Sequence, residues 1–364
     1  MVSAEVTTLG ATTDRHATAA AVLAQVRRGE LVESEHVGHL VVLAPDGSVR
    51  LALGDPEHVI YARSSLKPLQ AVAMLRSGLD IDGERLALAA ASHNGEPEHL
   101  TTVRATLGGA GLGEDALQNT PTLPLDDAAA LAWQVAGHGP ASVAQNCSGK
   151  HAAMVATCVA AGWDTATYLD PEHPLQRAVR ATIAELTGVP AEHATVDGCG
   201  APLFSTTVTG LARAFSTIAR APSAAPGSPE ARVATAMSTH PWHVAGTGRD
   251  ATAFMRAVPG LVAKDGAEGV YAAGLADGGA IAFKILDGGA RPRPTVLRAA
   301  LRVAGADRAP GTDVAALSRA GLVTVLGHGV PVGAVLAAFG NDVTDPADPA
   351  ELVEPVDAEA QGLA

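Results

Sequence analysis

Strand-like apolar runs sit near both ends of this chain and helix-like runs lie between them, with no regular strand–helix–strand alternation. Residues 39–44 and 49–53 flank the turn Pro45-Asp46-Gly47, which is hairpin spacing. Residues 58–62 read as a third strand. Near the far end, 271–275 and 280–286 flank Asp277-Gly278-Gly279, and 322–326 follows. Between them, 64–77, 151–161 and 175–186 carry helical patterns, and 86–91 is a short apolar run read as a strand. This order argues against a doubly wound parallel sheet. It predicts a mixed fold, α/β or α+β. A chain of 364 residues can bury a sizeable core in one large or two ordinary domains.

Composition sets the domain limits. Residues 1–34 are rich in Ala and Thr, weakly helical over 19–26, and read as a flexible leader. Residues 35–340 form the expected globular body. A Pro/Ser/Gly stretch at 221–230 suggests a hinge between two lobes. Residues 341–364 read as an acidic, disordered tail, with seven acids and no base between 342 and 359. The net charge of −13 argues against nucleic acid or an anionic membrane as partner. Three cysteines make no disulfide framework, and neither an export signal nor a spanning apolar run is visible. The expected location is therefore the cytoplasm.

Lysine is scarce. Of 25 basic residues, only Lys67, Lys150, Lys264 and Lys284 are lysine. In such a background a retained lysine points to a need for an amine that can lose its proton, which arginine cannot supply. Ser64 and Lys67 are three apart at a helix start, where a lysine amine can take the proton of a serine nucleophile. Spacing alone favours a helix-cap serine and a surface lysine; it is the scarcity of lysine that brings the catalytic reading level with that one. Ser92-His93-Asn94-Gly95-Glu96 follows an apolar run, and Lys264-Asp265-Gly266 precedes a strand. Taken in order, S-x-x-K, S-x-N and K-x-G match the motif order of serine β-lactamases and penicillin-binding proteins, which makes Ser92 with Lys264 a second Ser–Lys pair. Asn146-Cys147-Ser148-Gly149-Lys150-His151 and Asp197-Gly198-Cys199-Gly200 hold two cysteines in polar turns. Two thiolates and a nitrogen suit zinc, with His151 the usual donor and Lys150 an unusual one. A Cys147 nucleophile with His151, or two merely packed thiols, fits the same residues. His240-Pro-Trp-His243 has metal-like spacing but, with its proline, reads as a loop.

These blocks together resemble the bacterial L-asparaginase II family of the Rhizobium etli inducible type. The matching pieces are Arg63 through Gln70, Ser92 through Glu96, Asn146 through His151, Asp197 through Pro202, and the segment from Lys264 through Gly274. The likeness spans about residues 30–340. It implies a catalytic domain over 35–340 with a serine-β-lactamase-like α+β fold, an antiparallel sheet flanked by helices, a homodimer, and hydrolysis of L-asparagine, with glutamine or another amide as the alternative substrate. It implies catalytic pairs Ser64–Lys67 and Ser92–Lys264 and a zinc-type site on Cys147, Lys150 and Cys199. Arg63, Glu96, Asn146, Asp197 and His151 are the expected substrate-binding residues; the opposite charges of Arg63 and Asp197 suit the α-carboxylate and the α-amine of an amino acid. Asn94, the leader and the tail depart from the family pattern. A β-lactamase or peptidase, a zinc-hydroxide amidohydrolase and a non-catalytic amino-acid binder are the competing classes.

Overall fold

Residues 19–340 are described by the computed structural model, and 1–18 and 341–364, with the rest of the leader and the tail, lie outside the described residues. The first part of the chain holds β1 (Ala21–Arg28), β2 (Leu31–Leu43), β3 (Val49–Leu53), β4 (Val59–Tyr61), α1 (Lys67–Arg76), α2 (Gly83–Ala89), α3 (Pro97–Gly109) and α4 (Asp127–Val135). The middle holds α5 (Ser148–Ala161), α6 (Pro174–Thr187), β5 (Ala194–Val196), β6 (Pro202–Thr207), α7 (Val208–Ala224), α8 (Pro229–Thr239), α9 (Pro241–Val244) and α10 (Asp250–Ala257). The last part holds β7 (Val262–Asp265), β8 (Val270–Gly274), β9 (Ala280–Ile285), α11 (Arg293–Ala304), α12 (Val314–Ala320), β10 (Thr324–Gly327) and β11 (Val330–Ala337).

The main sheet runs β10-β11-β1-β2-β9-β8-β7, antiparallel throughout. Its middle strands, β1 and β2, come from the start of the chain, and the strands on either side, β10-β11 and β9-β8-β7, from its last third, so both ends of the chain supply strands, as the position of the apolar runs implied. β2 is its spine. Residues 31–38 pair with β1, and beyond Gly38 the same edge is taken by β3. Every residue of β8, the strand beside the β7 edge, is buried, so both faces of the sheet are covered there, and α7 and α11 do much of the covering of the sheet. At Gly274 a Cβ would lie 2.3 Å from the Phe215 carbonyl oxygen, which shows how closely α7 rests on β8. A small antiparallel sheet, β4-β6-β5, stands apart.

The helical layer is built around α1. Nine of its ten residues, Lys67 through Leu75, are buried, so this helix has almost no solvent face. Its neighbours are α2, α5, α6 and α8. α5 is likewise buried from Ser148 to Cys158. The first turns of these two interior helices carry Lys67 and Lys150. Gly149 is needed for that packing, because a Cβ there would lie 2.5 Å from the Leu88 carbonyl oxygen on α2. Gly149→Ala is therefore expected to cost about 1–3 kcal/mol of stability, read from the denaturant midpoint.

Three expectations about organisation change. Residues 19–26 are not helical: 21–28 form β1, held between β2 and β11 with Leu23, Ala24 and Val26 buried, so tertiary pairing overrides a weak alanine propensity. Residues 19–34 thus belong to the sheet rather than to a flexible leader. Residues 86–91 lie largely in helix α2, which their alanines favour. The 221–230 stretch is not a hinge: α7 continues to Ala224, a short turn follows, and α8 packs back on α7. One continuous apolar core joins Leu40 of the sheet to Leu69 of α1.

Candidate active site

The site forms where the Ser64 turn, the first turns of α1 and α5, the segment after α2, and β7 converge. Arg63 has a left-handed backbone, φ 51°, unusual for a residue with a side chain. A single 3-10 turn, Arg63–Leu66, follows and runs into α1. The Lys67 N–H donates to the Ser64 carbonyl, and 3-10 geometry stacks side chains three apart. Ser64 is partly exposed and Lys67 buried. The turn is tied to β7 by the Ser65 hydroxyl, which donates to the Lys264 carbonyl at 3.0 Å. Gly266 makes that approach feasible: a Cβ there would lie 2.7 Å from the Ala62 carbonyl oxygen.

Lys67 is the hub. Its Nζ donates to the Ala91 carbonyl at 2.5 Å, lies 3.0 Å from Ser92 Oγ and 3.2 Å from Cys147 Sγ. No side-chain hydrogen bond joins it to Ser64 among the described residues. Lys264 Nζ instead bonds Asp265, at 2.5 Å to Oδ1 and 2.7 Å to the carbonyl. The expected Ser92–Lys264 pair is therefore not hydrogen-bonded here; Ser92 is on Lys67, because Lys264 is engaged by its neighbouring carboxylate. Burial pushes Lys264 down to about 8, against the pull of Asp265. Burial disfavours the Asp265 charge too, but Lys264, Arg249 and Arg293 outweigh it and hold the carboxyl far below the usual range.

Ser92, His93 and Asn94 are fixed by backbone bonds. The Ser92 and Asn94 N–H groups donate to the Val244 and Ala245 carbonyls, and the His93 N–H donates to the Asn146 carbonyl. His93 Nδ1 accepts from the Gly95 N–H at 3.1 Å, which leaves Nε2 to donate to Ser148 Oγ at 2.9 Å. Burial keeps this ring neutral. Glu96 is turned toward its own loop: its carboxylate accepts from the Thr247 N–H and hydroxyl, both at 2.8 Å, and from Asn94 at 2.9 Å. Asn146 Oδ1 accepts from the Cys147 thiol at 3.3 Å.

The cysteine blocks meet as expected. Cys147 and Cys199 are neighbours, both buried and free. A hydrogen bond from Cys199 pulls the Cys147 thiol well below its ordinary value, with burial opposing and the two lysines assisting. Lys150 Nζ donates to Cys199 Sγ at 3.2 Å. Burial acts against its charge, but the two sulfurs outweigh that and raise it, so Lys150 is held as an ammonium rather than as the neutral amine a metal ligand requires. His151 Nδ1 lies 2.8 Å from the Tyr168 hydroxyl, while its Nε2 is buried without a hydrogen-bond partner. Burial pushes His151 down to about 4. Its nitrogen and the two sulfurs do not all come within 4.8 Å of one another. Arg63 grips Asp197, with Nε at 2.8 Å and a terminal nitrogen at 2.7 Å from Oδ1. Burial raises the Asp197 carboxyl, and Lys150 and Arg63 reverse that and lower it.

Sequence reasoning missed Arg249, Arg293 and Tyr168. Arg249 bonds Ser92, Asn94 and Asp265 at once. Its signal was present in the polar, glycine-flanked turn Gly246-Thr247-Gly248-Arg249-Asp250.

A family model described as L-asparaginase II matches residues 24–337. The chain belongs to the L-asparaginase II family. It is an amidohydrolase, and family membership agrees with the resemblance carried by the Cys-Ser-Gly-Lys and Ser-x-x-Lys blocks. No curated protein matches the chain. Among solved structures, Mglu in its native form matches with 14% identity and a TM-score of 0.42, over 79% of this chain and 70% of that one. A β-lactamase from Mycobacterium bovis matches with 14% identity and a TM-score of 0.37, over 69% and 88%. Among the described residues no helix is long and apolar enough to cross a membrane.

Proposed function

We propose that this protein hydrolyses the side-chain amide of L-asparagine to L-aspartate and ammonia, with Ser64 as nucleophile. The observation that carries the reading is Lys67 Nζ, one turn after Ser64 and 3.0 Å from Ser92 Oγ. Ser64 Oγ attacks the amide carbon as the Lys67 amine takes its proton. That proton passes to Ser92 and from Ser92 to the amide nitrogen, so that the C–N bond breaks and ammonia leaves. Water then attacks the ester on Ser64 and gives a proton to Lys67, which passes it to Ser64 Oγ as the C–Oγ bond breaks, freeing L-aspartate and restoring the hydroxyl and the amine. Arg63 and Asp197, already paired, present opposite charges to the α-carboxylate and α-amine of an amino acid. Glu96 serves by holding the 245–248 loop, and Asn146 and His151 line the cysteine side. Ammonia release from L-asparagine and L-glutamine tests the reading. One methylene is worth only about 1–3 kcal/mol, so glutamine turnover above that of asparagine would reassign the substrate.

Cys147, Cys199 and Lys150 fit a zinc ion by the chemistry of the donor set: two adjacent sulfurs, with one amine at hydrogen-bonding distance from Cys199. Lys150 would give up its proton on binding. A bound zinc supplies fixed positive charge next to the substrate-binding pair. The reducing compartment suited to three free thiols is the cytoplasm. A homodimer would cover α4, none of whose residues is buried and whose Leu131 and Val135 are 63% and 79% exposed.

A further inference from the structure

We infer that Glu84, His240 and His243 form a second cation site, separate from the cysteines, for a divalent transition metal such as zinc. Among the described residues these three are the one His/Cys/Asp/Glu group whose ligand atoms all lie within 4.8 Å of one another. Each carboxylate oxygen faces one ring: Oε2 is 3.7 Å from His243 Nε2 and Oε1 is 4.0 Å from His240 Nδ1. The imidazoles stand nearly perpendicular, at 79°. Two imidazoles and one carboxylate are a zinc donor set that leaves a position open. Metal–ligand bonds of about 2.0–2.2 Å place tetrahedral donors roughly 3.4 Å apart, so each carboxylate–imidazole separation needs to close by less than about 1 Å.

The rings are preset. His243 stands edge-on to Trp242, and Trp242 stacks on buried His99 with centroids 4.0 Å apart. Glu84 is exposed and free to swing in. His240 lines two surface clefts of about 380 and 450 Å³, so an ion has access. Glu84 is in the first turn of α2, and the histidines flank and occupy α9. α2 leads into Ser92, and the residues at the end of α9 accept its N–H and that of Asn94. A cation here braces both supports of the Ser92 segment.

The test counts zinc per chain after equilibrium dialysis of the metal-stripped full chain against Zn²⁺. Wild type is compared with Glu84→Gln and with His240→Ala/His243→Ala, each also in a Cys199→Ser background. One equivalent is expected to be lost in both variants, in either background, together with part of the zinc-induced rise in melting temperature. Glu84→Gln alters only an exposed side chain, so misfolding does not obscure it. Equal stoichiometry in all chains would overturn the site. So would a difference that vanishes once Cys199 is replaced, because the ion would then be at the cysteines.

Discussion

Replacing Ser64 with alanine is expected to lower amide hydrolysis by roughly 10⁴- to 10⁶-fold while leaving the fold and melting temperature nearly unchanged. The side chain is partly exposed and supports no packing, so its loss removes chemistry and little else. Ser92→Ala should cost less, roughly 10²- to 10⁴-fold, as for loss of a proton relay. Lys67→Arg should resemble Ser64→Ala in rate. Arginine keeps the charge but cannot accept a proton, and its fork does not fit a pocket where one nitrogen meets Ala91, Ser92 and Cys147. Steady-state ammonia release with a melting curve separates these outcomes. A Ser64→Ala enzyme near full rate, with activity lost in Cys147→Ser, would move the nucleophile to the cysteine.

Asp265→Asn is expected to destabilise the protein by about 3–5 kcal/mol. Asp265 is buried and answers three cations: Lys264 at 2.5 Å, Arg249 at 2.9 Å and Arg293 at 3.8 Å. Removing the carboxylate leaves three partly or fully buried positive charges facing one another. Asparagine keeps the shape, so the loss is electrostatic. Urea midpoints measure it, and the double variant Lys264→Met/Asp265→Asn should fall short of the sum of the single effects, since the methionine removes one of the uncompensated charges. The sign with pH follows from the carboxyl being held far below its unfolded value. Its contribution is fully present above about pH 4 and is lost as pH falls further. A variant as stable as wild type at neutral pH would show that the network contributes nothing net.

Much of this site was legible because lysine is rare. Lys67, Lys150 and Lys264 are 1%, 2% and 0% exposed, and all three stand in the site. Lys284, the fourth lysine, is half-buried outside the site and donates to the Glu268 carbonyl. The strands bounded by strong turns were legible too, since Asp277-Gly278-Gly279 leaves little choice of local structure. What was not legible depended on partners far along the chain. β1 is a strand because β11, some 300 residues later, offers it an edge. Ser92 meets Lys67 rather than Lys264 because Asp265 occupies the latter, a contact that motif order does not encode. Arg249 joins Ser92 to Asp265 across loops whose spacing follows no motif. His240 and His243 acquire a ligand-like partner only when α2 brings Glu84 alongside.

Covalent trapping tests the Ser64 mechanism most directly. The enzyme is mixed with L-asparagine, quenched in acid within the first turnovers, digested, and its peptides weighed. An aspartyl ester on the peptide containing Ser64, absent from Ser64→Ala, is the predicted result. An acyl adduct on Cys147, or ammonia released by Ser64→Ala at the wild-type rate, would contradict it.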